Sequence, residues 1–257
     1  MIDIKNTEYI KLLSAKFFFD ENVFEILDPI MLKSWAEKEG VFNDNELSRT
    51  LLFKLDGKLA KGKSGSSSIS KKLASFTEQK NLTTVRFMED ENQEIDNQNY
   101  IEVYLDQWDS GFKSLVHVLV SDTGRSENIG RFFEQFVKKY NPQYAFSNLY
   151  IVDHFERDFD EPEIDRINEN YPIDSMNINR YQGMAKEGCI KDIQWLNYFN
   201  DRYLSNISLP NEDYACRSVK LEYGRLLQLS DSPFFSESDL EWVKGFREVN
   251  KEFVILK

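Results

Sequence analysis

One stretch has the residue types and spacing of a nucleotide site. Gly57-Lys58-Leu59-Ala60-Lys61-Gly62-Lys63-Ser64 fits G-x-x-x-x-G-K-[ST]. In that pattern backbone N–H groups cradle phosphates, the lysine reaches the terminal phosphates and the hydroxyl holds magnesium. The run Asn148 to Asp153 is placed to supply a magnesium-holding strand. The surroundings read differently. Asp56-Gly57 separates two apolar runs and is a hairpin signal, both central positions of such a turn favouring φ > 0. Behind the lysine, Ser64-Gly65-Ser66-Ser67-Ser68 has the composition of a flexible linker or exposed loop, where a phosphate site needs a helix. A nucleotide enzyme resting on Lys63 and Ser64 is therefore the alternative reading.

A second stretch is dominated by carboxylates. From Asp153 to Asp165 seven acids stand against Arg157, a charge of −6 that is half the chain's net −12. Phe155 and Phe159 are interleaved among them. Alternate positions in one loop do not make acids converge on a metal or a substrate, and no D-x-D-x-D-G calcium spacing is present. One reading is a solvated loop leading into a helix at Pro162. The other is a binding surface for a basic partner, in which Asp153, Glu156, Asp158, Asp160, Glu161 and Glu163 steer while Phe155 and Phe159 anchor. Trp108 and Asp109, between two expected strands, are secondary interface candidates.

Other chemistry is thinly supplied. His154 follows Asp153 directly, and neighbours on a strand point to opposite faces, so they make a poor catalytic dyad. The other histidine, His117, shares a face with Leu115 and Leu119 and reads as a core or half-buried residue. Cys189 and Cys216 form neither a disulfide framework nor a zinc spacing, and are expected as reduced thiols. No cofactor and no metal is expected, and the chain is read as a non-enzyme.

The elements that would position these residues follow from periodicity. Asp28-Pro29 starts a helix that Glu39-Gly40 closes, and a strand follows at Thr50 to Leu55. Thr83 to Met88, Tyr100 to Leu105 and Phe112 to Val120 read as an antiparallel meander. Ile129, Phe132, Phe133, Phe136, Val137 and Tyr140 form one apolar stripe of a helix that Asn141-Pro142 stops. Tyr144 to Val152 is a strand, and Ser175 to Tyr181 is another candidate. Trp195, Phe199 and Tyr203, four apart, predict a helix ended by Leu209-Pro210. Ala215 to Tyr223 alternates and returns through Gly224 into Arg225 to Ser230. Ser236 and Asp239 make a capping box for a last helix with Leu240, Trp242, Val243, Phe246 and Val249 as its buried positions. The expected fold is α+β, a mainly antiparallel sheet with amphipathic helices packed on it. Residues 1–80 form a mixed N-terminal segment with the Lys/Gly/Ser loop, and 81–257 an α+β core domain, continuous or separate.

Composition sets the class of partner. The 257 residues are 41% hydrophobic and 14% aromatic, enough for a sizeable core, with a sequence pI near 4.8. Phosphate contacts need clustered Lys and Arg, so direct nucleic-acid binding is not expected. The segment Arg49 to Lys80 runs against this balance at +6. With no signal-like start and no run approaching about 18 apolar residues, a soluble cytoplasmic protein is expected.

The C-terminal quarter resembles a known family. Trp195-Leu196-Asn197-Tyr198-Phe199, then Leu209-Pro210, then Val219 to Leu229 with its glycine, then Asp231-Ser232-Pro233-Phe234 and a final helix, look most like the immunity protein 52 family of bacterial polymorphic-toxin and type VI secretion systems. These motifs are structural rather than catalytic. The resemblance implies a cytoplasmic antitoxin that binds a cognate secreted toxin, often a nuclease, and blocks its active site. A scaffold or adaptor without a toxin partner is the remaining alternative.

Overall fold

The computed structural model describes residues 10–89, 99–105, 112–152, 190, 192–208, 217–252 and 254. Among the described residues ten strands form one sheet: β1 (Ile10–Phe19), β2 (Arg49–Lys54), β3 (Leu59–Lys63), β4 (Leu82–Met88), β5 (Tyr100–Leu105), β6 (Ser114–Val120), β7 (Tyr144–Val152), β8 (Leu196–Asn200), β9 (Arg217–Leu221) and β10 (Gly224–Gln228). Their order is β3-β2-β4-β5-β6-β1-β7-β8-β10-β9, and every adjacent pair is antiparallel. The helices are α1 (Val23–Ile26), α2 (Pro29–Lys38), α3 (Ser67–Glu78), α4 (Ser126–Tyr140), α5 (Asp201–Leu204) and α6 (Glu237–Val249). The expected antiparallel sheet with packed helices is present, with more strand in it than "α+β" conveys. The N-terminal strands β1 to β3 belong to the same sheet as the rest.

The core has two layers because the sheet is covered on both faces. On one face Phe17 of β1 meets the stripe of α4, its ring 4.0 Å from Phe136 and 5.2 Å from Phe133. Ile129, Phe132, Phe133, Phe136 and Val137 are all buried there, as the period of 3.6 requires. Burying five such side chains is worth roughly 1.5–3 kcal/mol each before chain entropy is counted. On the other face Phe18, Tyr144, Phe146 and Phe199 pack with Val243 and Phe246 of α6. Among the described residues no helix is long and apolar enough to cross a membrane.

Several boundaries follow local chemistry closely. Asp28 caps α2 by accepting from the Ile30 N–H at 2.8 Å. At its other end Gly40 is left-handed (φ +74°), and Val41 N–H donates back to the Ala36 carbonyl, the six-to-one bond of a glycine-terminated helix. Ser236 and Asp239 form the reciprocal capping box of α6.

Four expectations are corrected. The Asp56-Gly57 hairpin exists, but its loop has three residues. Gly57 N–H donates to the Lys54 carbonyl, and Gly57 alone in the loop has positive φ (+76°), the combination of a type I turn with a following left-handed glycine. The Lys/Gly/Ser run is not a linker: Leu59–Lys63 is strand, and Ser66 accepts from Ile69 N–H to cap α3. Composition hid the stripe, for Ile69 and Leu73 lie one turn apart and are buried.

The helix expected on Trp195 and Phe199 is the strand β8, followed by the single turn α5. A strand covered on both faces shows no alternation to mark it as one, and Trp195, just before β8, supplies the four-residue spacing that reads as helical. The two rings in fact lie on different sides. Trp195 reaches toward Gly130 of α4 and Phe199 stacks on Tyr144 in the opposite layer. Finally, Val249 is 53% exposed at the end of α6 instead of buried.

Candidate functional site

The acidic candidates Asp153, Phe155, Glu156, Asp158, Phe159, Asp160, Glu161 and Glu163 lie outside the described residues, as do Trp108 and Asp109, His154 and both cysteines. What is described is the stem that leads to the acidic stretch. β7 runs between β1 and β8 and ends at Val152, one residue before Asp153. Among the described residues no group of three His, Cys, Asp or Glu side chains is placed to hold a metal ion.

The residues of the G-x-x-x-x-G-K-S pattern all have other duties. Gly57 turns the hairpin. A Cβ on Gly62 would come within 2.8 Å of Ile69 Cγ1, so this glycine lets α3 sit on β3. The Ser64 hydroxyl pairs with that of Thr50 at 2.8 Å. Lys63 lies on an end strand of the sheet, paired with Arg49 across the ladder to β2. A strand–loop–helix cradle needs N–H groups converging on one point. Here alternate N–H groups are turned into an antiparallel ladder.

A rank of charged side chains across four strands shows no signal in the sequence. Lys16 of β1 opposes His117 of β6, His117 opposes Glu102 of β5, and Glu102 opposes Arg86 of β4, so four titratable groups stand in one rank on one face. Arg86 holds Glu102 through Nη2 at 2.7 Å and Nε at 2.9 Å, and its guanidinium lies 5.1 Å from the Tyr100 ring. His117 is bonded at both nitrogens, Nε2 to the Ser14 hydroxyl at 3.1 Å and Nδ1 to the Tyr100 hydroxyl at 2.9 Å. Burial raises the Glu102 carboxyl above its ordinary range, and the neighbouring Arg86 only partly opposes that.

A serine bonded to a histidine invites comparison with a nucleophile and its base. Ser14 is fully buried in the central strand. The group behind the histidine is a phenol, and the carboxylate in register with it is occupied by arginine. The arrangement orients and neutralises buried charge, and it places no nucleophile at a surface. Glu102 and Arg86 alternate with the buried Ile101, Val103, Val85 and Phe87, and only the register between strands brings them beside His117 and Lys16, which is why the sequence alone missed the rank.

A cleft of about 530 Å³ opens where α1 and the start of α2 face α3. Its floor includes Phe24, Leu27 and Leu73, and its rim carries Glu25, Asp28 and Glu78. Apolar floor and acidic rim suit a cationic, partly apolar group. Asp28 is already engaged as the α2 cap and Glu25 lies 3.6 Å from Lys80, so the rim is partly neutralised.

No protein-family model and no curated protein matches the sequence. Among solved structures, the fold is similar to that of the Pseudomonas aeruginosa T6SS protein PA0821, with a TM-score of 0.66 at 14% identity, over 96% of this chain and 74% of that one. At that identity the likeness concerns the fold, and it extends over nearly the whole chain.

Proposed function

We propose that this chain is a non-catalytic immunity protein of the cytoplasm. It binds a cognate secreted bacterial toxin, a nuclease, and occludes the toxin's active site with an acidic surface. The observation that supports the reading most is the likeness, over 96% of the chain, to a protein of a type VI secretion system. The resemblance of the Trp195 to Phe234 region to immunity protein 52 points the same way. The charge distribution suits the target: a cleft built to attract phosphates is basic, and the −6 of Asp153 to Asp165 is complementary to it and speeds encounter. In this reading Glu156, Asp158, Asp160, Glu161 and Glu163 steer, Phe155 and Phe159 anchor, and Trp108 with Asp109 adds a secondary contact.

Co-expression with the product of the neighbouring gene tests the proposal. A stable complex and relief of toxicity are expected, and absence of both would end the immunity reading. Charge reversal at Glu156, Asp158, Asp160 and Glu163 is expected to slow association by roughly ten- to a hundredfold at low salt. Unchanged binding would place the interface elsewhere on the chain. Titration with magnesium and ATP or GTP is expected to give no binding, and binding lost on Lys63→Ala would favour the nucleotide reading instead.

A further inference from the structure

The sheet ends in a basic edge although the chain carries a net charge of −12. Among the described residues β3 is an end strand, paired to β2 only. Two bonds fix the parity of that pairing: Lys54 N–H donates to the Lys58 carbonyl at 3.0 Å, and Ser64 N–H to the Ser48 carbonyl at 2.7 Å. The inward groups are therefore those of Lys58, Ala60, Gly62 and Ser64. The N–H and C=O groups of Leu59, Lys61 and Lys63 face away from β2, and of these the Lys63 carbonyl accepts from Ser66 N–H at 3.2 Å.

The side chains of the same three residues are exposed, whereas Ala60 and Gly62 are half-buried beside α3. Lys63, with Lys71 and Lys72 of α3, is exposed and has no carboxylate partner among the described residues. Two apolar side chains flank the lysines, Leu55 at 65% and Leu59 at 51% exposed. Lysines on an open edge guard against pairing with a second copy of the same edge, where like charges meet. For an acidic strand the sign reverses, and ladder, charge and apolar contact all favour binding.

We propose that the β3 edge binds an extended acidic segment of a partner protein by strand addition. The outward groups of Leu59 and Lys61 and the Lys63 N–H continue the ladder, Lys63 meets a carboxylate of the added strand, and Leu55 and Leu59 cover an apolar residue on the same face of it. A nucleic acid offers charge without a ladder, and the acidic remainder of the chain repels it. The surface is opposite in sign to the one proposed for the toxin, so one chain can hold two partners of opposite charge.

The probe is a labelled, acetylated peptide about seven residues long in which Glu and Val stand about four positions apart, hence on one face, with Thr at the positions between. Expected are saturable binding by fluorescence anisotropy and slowed exchange of the Leu59, Lys61 and Lys63 amides. Lys63→Glu is expected to weaken binding roughly tenfold. Lys61→Pro should do the same, because it removes an outward N–H and leaves the β2 ladder intact. Should that variant fail to fold, the peptide N-methylated at alternate residues tests the same bond on the unaltered protein, and it should bind at least about tenfold more weakly. No saturable binding, equal binding of the N-methylated peptide, or equally tight binding of a thymidine oligonucleotide of the same charge would overturn the proposal.

Discussion

The Tyr198 hydroxyl of β8 donates to Asn141 Oδ1 at 2.5 Å, and Asn141 is the left-handed residue (φ +44°) that ends α4. One bond thus ties the strand to the helix end that crosses it. Burial, with the Asp201 charge behind it, pushes the Tyr198 phenol up from 10.0 to about 12. A raised pKa means the native state holds the proton more tightly than the unfolded chain, so the stabilisation is complete below pH 10 and lost as pH rises through about 12. Tyr198→Phe is expected to cost about 1 kcal/mol near neutral pH and to flatten the loss of stability above pH 10, measured by urea unfolding across pH.

Gly224 opens β10 directly against β8. A Cβ there would stand 2.3 Å from the Phe199 carbonyl oxygen and 2.7 Å from the Tyr198 hydroxyl, so the glycine serves close approach and not turn geometry. Gly224→Ala is expected to destabilise by about 1–3 kcal/mol or more, because the nearest obstacle is backbone. Gly57→Ala meets open space but keeps a positive φ, and should cost about 1–2 kcal/mol. A thermal melt in which Gly224→Ala was the milder of the two would contradict the packing account.

Arg247 of α6 reaches Asp192 Oδ2 through Nη2 at 2.6 Å and Nε at 3.0 Å, with both side chains largely buried. The other carboxylate oxygen accepts from Ile193 N–H at 2.8 Å. The pair fixes α6 to the chain entering β8. Removing one partner strands the other in a dry site, so Arg247→Ala or Asp192→Ala is expected to cost about 3–5 kcal/mol. Replacing both with apolar residues should recover much of that loss, and a double-mutant cycle in denaturant checks it.

Glu102 works with the opposite sign of cost. Desolvation dominates and raises its carboxyl above 4.5, so the native state gains protons relative to the unfolded chain. Its ionisation therefore costs stability at neutral pH, and that cost is relieved as pH falls through the raised value toward 4.5. Relative to Glu102→Gln, the unaltered protein should gain stability on acidification. Arg86→Ala leaves the carboxylate without its arginine and is expected to cost about 1–3 kcal/mol, more at neutral than at acid pH. An equal effect at both pH values would exclude this account of the pair.

Strong single periods were legible from sequence. The five-residue stripe of α4, the β4–β5–β6 meander, the α2 and α6 caps and the Gly57 hairpin each announce themselves by local chemistry. β8 did not, because Leu196 to Phe199 is buried on both sides and so shows no alternation, while Trp195 just outside the strand gave a helical spacing with Phe199. The β3–α3 segment did not because serine was read as loop composition when Ser66 is a cap. The rank from Lys16 to Arg86 depends on pairing between strands far apart in sequence, which no local pattern encodes. The acidic stretch was legible as charge alone.

The first described strand is the sixth in the order across the sheet, and that position has a bearing on how the protein is made. Phe17 pairs with Val116 on one side and Ala145 on the other. At roughly 5–20 residues per second, a ribosome needs on the order of ten seconds after releasing β1 to supply both neighbours. Until β6 emerges Leu12 to Phe19, mostly apolar, has neither flank paired, and until β7 follows it has only one. The newborn chain is thus at its most vulnerable to aggregation and to chaperone capture early in synthesis, and its high contact order makes completion of the sheet a late, concerted event.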